Sequence, residues 1–177
     1  MYNKCPEPFH ARLNDLIHIL FDSNGENLDL LSPLFCTIVE TQPELITATQ
    51  VDYLFNCIKN DSGKSGYPRS FFEALAHIAN AQPHLFDHHR NELTHLVIEK
   101  RILVSFHCLQ RYLIASSIVN GDKAADEHLT FLINLVNTTK TMSHELKNMI
   151  FHTYHLIGVR HKQILNTKRK DLLPFKS

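Results

Sequence analysis

Apolar residues recur along this chain at three- and four-residue steps, in runs separated by turn signals. The pattern is sharpest between Arg69 and Ile98. Phe71, Phe72, Leu75, Ile78 and Ala79 share one face of a helix predicted over 70–80. Ser70 stands at the expected N-cap, and Glu73, three residues on, completes a capping-box pattern. Gln82-Pro83 ends the helix, because the residue before proline is forced out of the α region. Pro83 can then open a second helix, where its missing N–H is no loss. In that helix Phe86, His89, Leu93, Leu96 and Val97 face one way. Neither stripe can be buried alone, so the pair reads as a hairpin packed on neighbours, with Phe72, Leu75, Ile78, Phe86, Leu93 and Leu96 as core.

The same pattern occurs again at fixed offsets. Leu34, Phe35, Ile38, Val39, Gln42, Pro43, Leu45 and Ile46 lie 40 residues before Ala74, Leu75, Ile78, Ala79, Gln82, Pro83, Leu85 and Phe86. Phe151, Tyr154, Ile157, Ile164, Leu165 and Leu172 lie 79 residues after Phe72, Leu75, Ile78, Leu85, Phe86 and Leu93, close to two periods. A period of roughly 40 residues with two helices per unit is the signature of helical repeat arrays. The segment Glu73-Ala-Leu-Ala-His-Ile-Ala-Asn-Ala-Gln-Pro-His-Leu-Phe86 resembles the helix-corner-helix of the armadillo/HEAT family, over about residues 28–173. The Asp and Arg of HEAT corners are absent, since His84 follows Gln82-Pro83, and this leaves armadillo and HEAT both open. The resemblance implies an all-α, right-handed α-solenoid of stacked hairpins that serves as a scaffold for protein partners.

The remaining elements follow the same logic. Pro8 opens a helix that carries Phe9, Leu13, Leu16, Ile17 and Leu20 on one face and stops near Asp22, before Ser23-Asn24-Gly25. It has no upstream hairpin partner, so residues 1–27 read as a cap or as the start of a piece of a longer array. Ser32-Pro33 predicts a cap followed by proline at the first helical position. Val51, Leu54, Phe55 and Ile58 form the next stripe. Asn120-Gly121-Asp122 predicts a helix C-terminus with glycine in the left-handed position. Ser143 caps a helix through Leu146, Met149, Ile150, Tyr154 and Ile157. The expected organisation is one repeat domain: the cap over 1–27, then units over 28–68, 69–100, 101–140 and 141–177.

Composition fits this picture. In 177 residues, 44% are hydrophobic and 20% charged, with 5 glycines and 7 prolines, a folded and loop-poor chain. No apolar run reaches the ~18 residues of a membrane span, and Met1-Tyr-Asn-Lys-Cys-Pro has no apolar signal core. The four cysteines are too far apart for a zinc knuckle or a redox pair. Cys36, Cys57 and Cys108 lie inside apolar patterns and read as buried, reduced thiols. The expected location is therefore cytoplasmic, with a nuclear one as the alternative. Formal net charge is zero but segregated. Residues 1–61 hold three basic and nine acidic side chains, and residues 101–177 hold eleven basic and five acidic ones. In a linear array this places an acidic end opposite a basic end.

Candidate chemistry is sparse. Gly63-Lys64-Ser65 has Ile58 where a phosphate-binding loop needs glycine, and no strand precedes it. Among 13 histidines, His84, His88 and His95 share a helical arc with Glu92, a spacing that can hold zinc or nickel, though a solvated face is the simpler reading. His144, His152 and His155 with Asn148 form a second such set. His89 falls on the apolar side and reads as a satisfied inter-helix histidine. No catalytic constellation is present, so the reading is a non-enzyme without cofactor. Partner contacts are expected at Lys162, Lys168, Arg169, Lys170, His88 and Glu92. Nucleic-acid binding through the basic C-terminal half is the alternative, a histidine-based metal protein or enzyme is a more remote one, and self-association is compatible with the charge pattern.

Overall fold

In the computed structural model the described residues are 7–22, 28–60, 68–98 and 103–168. They form eight α-helices: α1 (Glu7–Asp22), α2 (Leu28–Thr41), α3 (Ala48–Asn60), α4 (Arg69–Ala81), α5 (Arg90–Ile98), α6 (Leu103–Thr138), α7 (His144–Arg160) and α8 (Lys162–Thr167). Two short 3-10 turns, Pro43–Leu45 and Pro83–Phe86, complete the regular structure. No strand occurs among the described residues, so the fold is all-α. No described helix is long and apolar enough to cross a membrane. The chain divides into two compact units, Met1–Glu92 and Leu93–Ser177, with the division falling inside α5.

In the first unit α2 packs along α4, and α1 packs on both α2 and α3. Leu13 and Ile17 of α1, Phe35 and Val39 of α2, and Val51, Leu54, Phe55 and Ile58 of α3 are buried. So are Phe72, Leu75, Ile78 and Phe86 of the organising hairpin; Leu93 and Leu96, also predicted as core, are buried in the second unit. Two predicted boundaries move. Helix α2 begins at Leu28, so Pro33 lies inside it and Ser32 is a fully buried helical residue rather than a cap. The apolar run from Leu28 onward continues the helical pattern upstream, and Pro33 forfeits one backbone bond in the second turn. Helix α4 begins at Arg69, after Pro68 in extended conformation (φ −65°, ψ 152°). Proline therefore takes the last non-helical position, which moves Ser70 into the first turn. The predicted capping box does not form, and Glu73 instead accepts from Arg69 Nε at 2.7 Å.

The Gln-Pro corner is tighter than predicted. Gln82 leaves the helix at φ −131°, ψ 65°, with its N–H still on Ile78 O at 2.7 Å. Pro83 then opens a 3-10 turn, which is closed by Leu85 N–H donating to Gln82 O at 3.1 Å. A second α-helix starts only at Arg90. This arrangement drops Phe86 into the core, edge-on to Phe55 at 5.8 Å between ring centres. His89 stacks flat on Phe55 at 4.1 Å and bonds Asp52 at 2.8 Å, a satisfied inter-helix histidine. The same corner occurs at Gln42 (φ −143°, ψ 61°) before Pro43, and at His161 (φ −118°, ψ 60°) between α7 and α8. These are the positions that the offsets of 40 and 79 residues align.

In the second unit α6 packs along α7, and α8 returns against both. Helix α6 is two arms joined at Gly121, whose φ of 72° and ψ of −155° interrupt the helix. The positive φ was predicted, but the ψ places Gly121 outside the left-handed helical region, where essentially only glycine is found. The arms are tied by Ser116, whose hydroxyl meets His128 Nε2 at 3.1 Å and accepts from Asn120 Nδ2 at 3.2 Å. Tyr112 packs edge-on to His128. Ser143 caps α7 as predicted, accepting from Leu146 N–H at 3.2 Å.

Polar side chains tie each hairpin to the next, within each unit. Gln82 Nε2 donates to Pro43 O at 2.8 Å and to Ile46 O at 3.0 Å. Gln50 donates to Asn14, and His89 meets Asp52. In the second unit Gln110 donates to Thr153, His161 meets Asp122, and Lys168 donates to Thr130. These seven hydrogen bonds span between 36 and 43 residues, close to the 40-residue offset of the sequence pattern.

Candidate interaction surfaces

The basic cluster predicted near the C-terminus is only partly available. Lys168 has 16% of its side chain exposed; its Nζ pairs with Asp126 at 3.0 Å and donates to Thr130 at 2.6 Å. This lysine therefore holds α8 against α6, and it is no longer free for a partner. Its role was invisible in sequence because Asp126 lies 42 residues away. Lys162 is exposed at the start of α8. Arg169 and Lys170 lie outside the described residues.

The proposed arc of His84, His88, Glu92 and His95 needs one unbroken helix from Pro83. The structure breaks it: His84 sits in the 3-10 turn, His88 in the following turn, and only Glu92 and His95 share α5. His84, His88 and His95 are exposed. Glu92 is half-buried and turns Oε2 inward, where it meets no hydrogen-bond donor among the described residues. Among those residues no three His, Cys, Asp or Glu side chains are placed to hold a metal ion.

The second histidine set forms a surface in part, since His155 is exposed on α7 but does not line it. His144, Asn148 and His152 line one face of α7 with Glu145 and Met149, opposite His107 and Gln110 of α6. The groove between them has a volume of about 460 Å³. Its floor is fixed from below, since Gln110 Nε2 donates to the Thr153 hydroxyl at 2.9 Å and that hydroxyl donates to Met149 O at 2.8 Å. The rim offers imidazoles and amides, which can donate and accept, and a carboxylate, which accepts, around one thioether. His107 and Gln110 were missed in sequence because they come from another helix. A second cavity of about 500 Å³ lies among Val97, Ile98, Leu103, Thr139, Thr141, Met142, Ser143 and Leu146.

The thiols differ from one another. Cys108 is fully buried, and burial pushes its pKa far above the ordinary thiol range. Cys36 and Cys57 are half-buried rather than buried as expected. The Cys36 thiol is also pushed up, first by burial and then by the carboxylates of Glu73 and Glu40. Neither Cys36 nor Cys108 has the electropositive setting of a reactive nucleophile.

No protein-family model, curated protein or solved structure matches this chain.

Proposed function

We propose that the chain is a non-catalytic interaction scaffold, an α-solenoid of the armadillo/HEAT kind, that holds a peptide or partner helix along its surface. The observation that carries this reading is the set of one-period ties. Gln82 reaches back to the corner formed by Gln42 and Pro43, and His161 reaches back to Asp122. A stack of hairpins bonded mainly to nearest neighbours is the internal logic of a solenoid, and solenoids present continuous helix faces to partners. The α6/α7 groove, rimmed by exposed His107, His144, Asn148 and His152, is a surface suited to that purpose. The nucleic-acid alternative loses support with Lys168, which Asp126 already neutralises.

The test is affinity capture from extract of the native cell, with mass spectrometry. Capture is run with the chain and with a His107→Ala/Asn148→Ala double variant, whose substitutions are exposed and leave the fold intact. A protein retained by the chain and reduced at least tenfold by the variant supports the reading. Equal retention by both, or retention of nucleic acid whose log affinity falls steeply with log salt, refutes it.

A further inference from the structure

Two sets of imidazoles can be told apart in this chain. His89, His128 and His161 are held inside their units, by Asp52 at 2.8 Å, Ser116 at 3.1 Å and Asp122 at 2.7 Å. His107, His144 and His152 are exposed and make no side-chain hydrogen bond or ion pair among the described residues. These three converge on the α6/α7 groove. Their spacing is imposed from below, because the bond from Gln110 to Thr153 fixes one wall against the other.

The repeat register sharpens the contrast. The offset of 79 residues sets Asn148 and His152 where α4 has Arg69 and Glu73. On α4 that pair closes on itself, Arg69 Nε to Glu73 at 2.7 Å. On α7 an amide and an imidazole stand there, neither of them paired among the described residues. Few charged groups face the groove. From α6 come His107 and, one turn on, exposed Arg111. From α7 come His144, Glu145 and His152, with half-buried Lys147 beside His144 and exposed His155 past His152. Among the described lining residues Glu145 is the only carboxylate. Imidazole gains its proton between about pH 8 and pH 5. While the imidazoles are neutral, Arg111 and Glu145 offset each other. Once they are protonated, the rim gains three positive charges, one from each of His107, His144 and His152.

We infer that this groove takes an acidic segment of a partner protein, and takes it more tightly as pH falls from about 8 to below about 6. This deepens the scaffold reading proposed above and rests on it. Carboxylates of the segment would accept from the three imidazoles, with Arg111 and Asn148 as further donors and the half-buried Met149 thioether as an apolar contact. A protonated imidazole donates from both nitrogens, so no tautomer has to be selected. The sign follows from linkage: a segment that favours the protonated rim takes up protons on binding and gains affinity as protons become available. A polynucleotide is the poorer occupant, since it would meet Glu145 on the rim and only Arg111 and Lys147 as permanent cations.

The probe is a display library of random peptides of about twelve residues, panned on the full chain at about pH 5.8 and again at about pH 8. Wild type is compared with His107→Gln/His144→Gln/His152→Gln, and with His84→Gln/His88→Gln, which removes exposed imidazoles from the first unit. All five side chains are exposed, and circular dichroism checks that each variant folds. Peptides retained by wild type at the lower pH should be rich in Asp and Glu. Their affinity should fall about tenfold by the higher pH, since three exposed charge pairs contribute a factor of roughly two each. The groove variant should lose this dependence and the first-unit variant should keep it. His107→Lys/His152→Lys should hold the same peptides at the higher pH. No retained peptide, retained peptides without acidic enrichment, equal affinity at both pH values, equal loss in both glutamine variants, or retention of oligothymidylate in preference to the peptides overturns the inference. Capture from extract that still depends on His107 and Asn148 would then leave the scaffold reading standing without the acidic partner.

Discussion

Replacing Gln82 by alanine removes two hydrogen bonds that tie one hairpin corner to the preceding one. The donors reach Pro43 O at 2.8 Å and Ile46 O at 3.0 Å from a half-buried side chain. A net value of about 0.5–1.5 kcal/mol for each bond gives a loss of about 1–3 kcal/mol. Water can reach a half-buried carbonyl, which favours the lower half of that range. For a chain of this size the loss corresponds to a fall in Tm of roughly 2–4 °C per kcal/mol. Gln82→Glu should cost more than alanine, since it points a carboxylate at two carbonyl oxygens. The control is Gln42→Ala, at a corner of the same backbone geometry with an exposed side chain; it should stay within about 0.5 kcal/mol of wild type. Urea unfolding followed by far-UV circular dichroism at low micromolar concentration measures all three. Equal effects of Gln82→Ala and Gln42→Ala would show that the ties carry no stability and would remove the main support for stacked hairpins.

Two further outcomes are expected. Gly121→Ala should destabilise by about 1–3 kcal/mol in thermal unfolding through backbone strain alone, because no atom lies within 4 Å of the added Cβ; an unchanged Tm would mean that the arms of α6 can adopt another junction. Burial raises the Cys108 pKa in the folded state above its unfolded value of about 8.5, so its contribution is intact below that pH and fades as pH rises above it, at up to about 1.4 kcal/mol per unit. Cys108→Ala should flatten that alkaline slope, and an identical slope in the variant would refute the assignment.

The corners were legible because proline leaves little choice: Gln42-Pro43 and Gln82-Pro83 each end a helix, and the helical period on either side identifies the core. What escaped depends on groups far apart in sequence or on competition between neighbours. Ser70 looks like a cap until Pro68 takes that position. The arc from His84 to His95 assumes a continuous helix, but the burial of Phe86 favours a 3-10 turn first. Lys168 reads as a solvent-facing charge until Asp126 is brought to it. The α6/α7 groove left half its lining in the sequence, as the His144/Asn148/His152 stripe. The other half, His107 and Gln110, belongs to a helix whose neighbour only tertiary packing decides.

The one-period reach of the ties also bears on how the chain folds. Closing a loop costs entropy that grows slowly with length, by about 0.6 kcal/mol per doubling, but the cost must be met before the contact gives anything back. None of the ties described asks for a loop much longer than one hairpin. Each unit can therefore assemble on its own ties, without a distant segment having to arrive first. During synthesis the unit ending at Glu92 has all its internal partners before the second is translated. A slow, concentration-independent refolding phase would then trace to something other than topology.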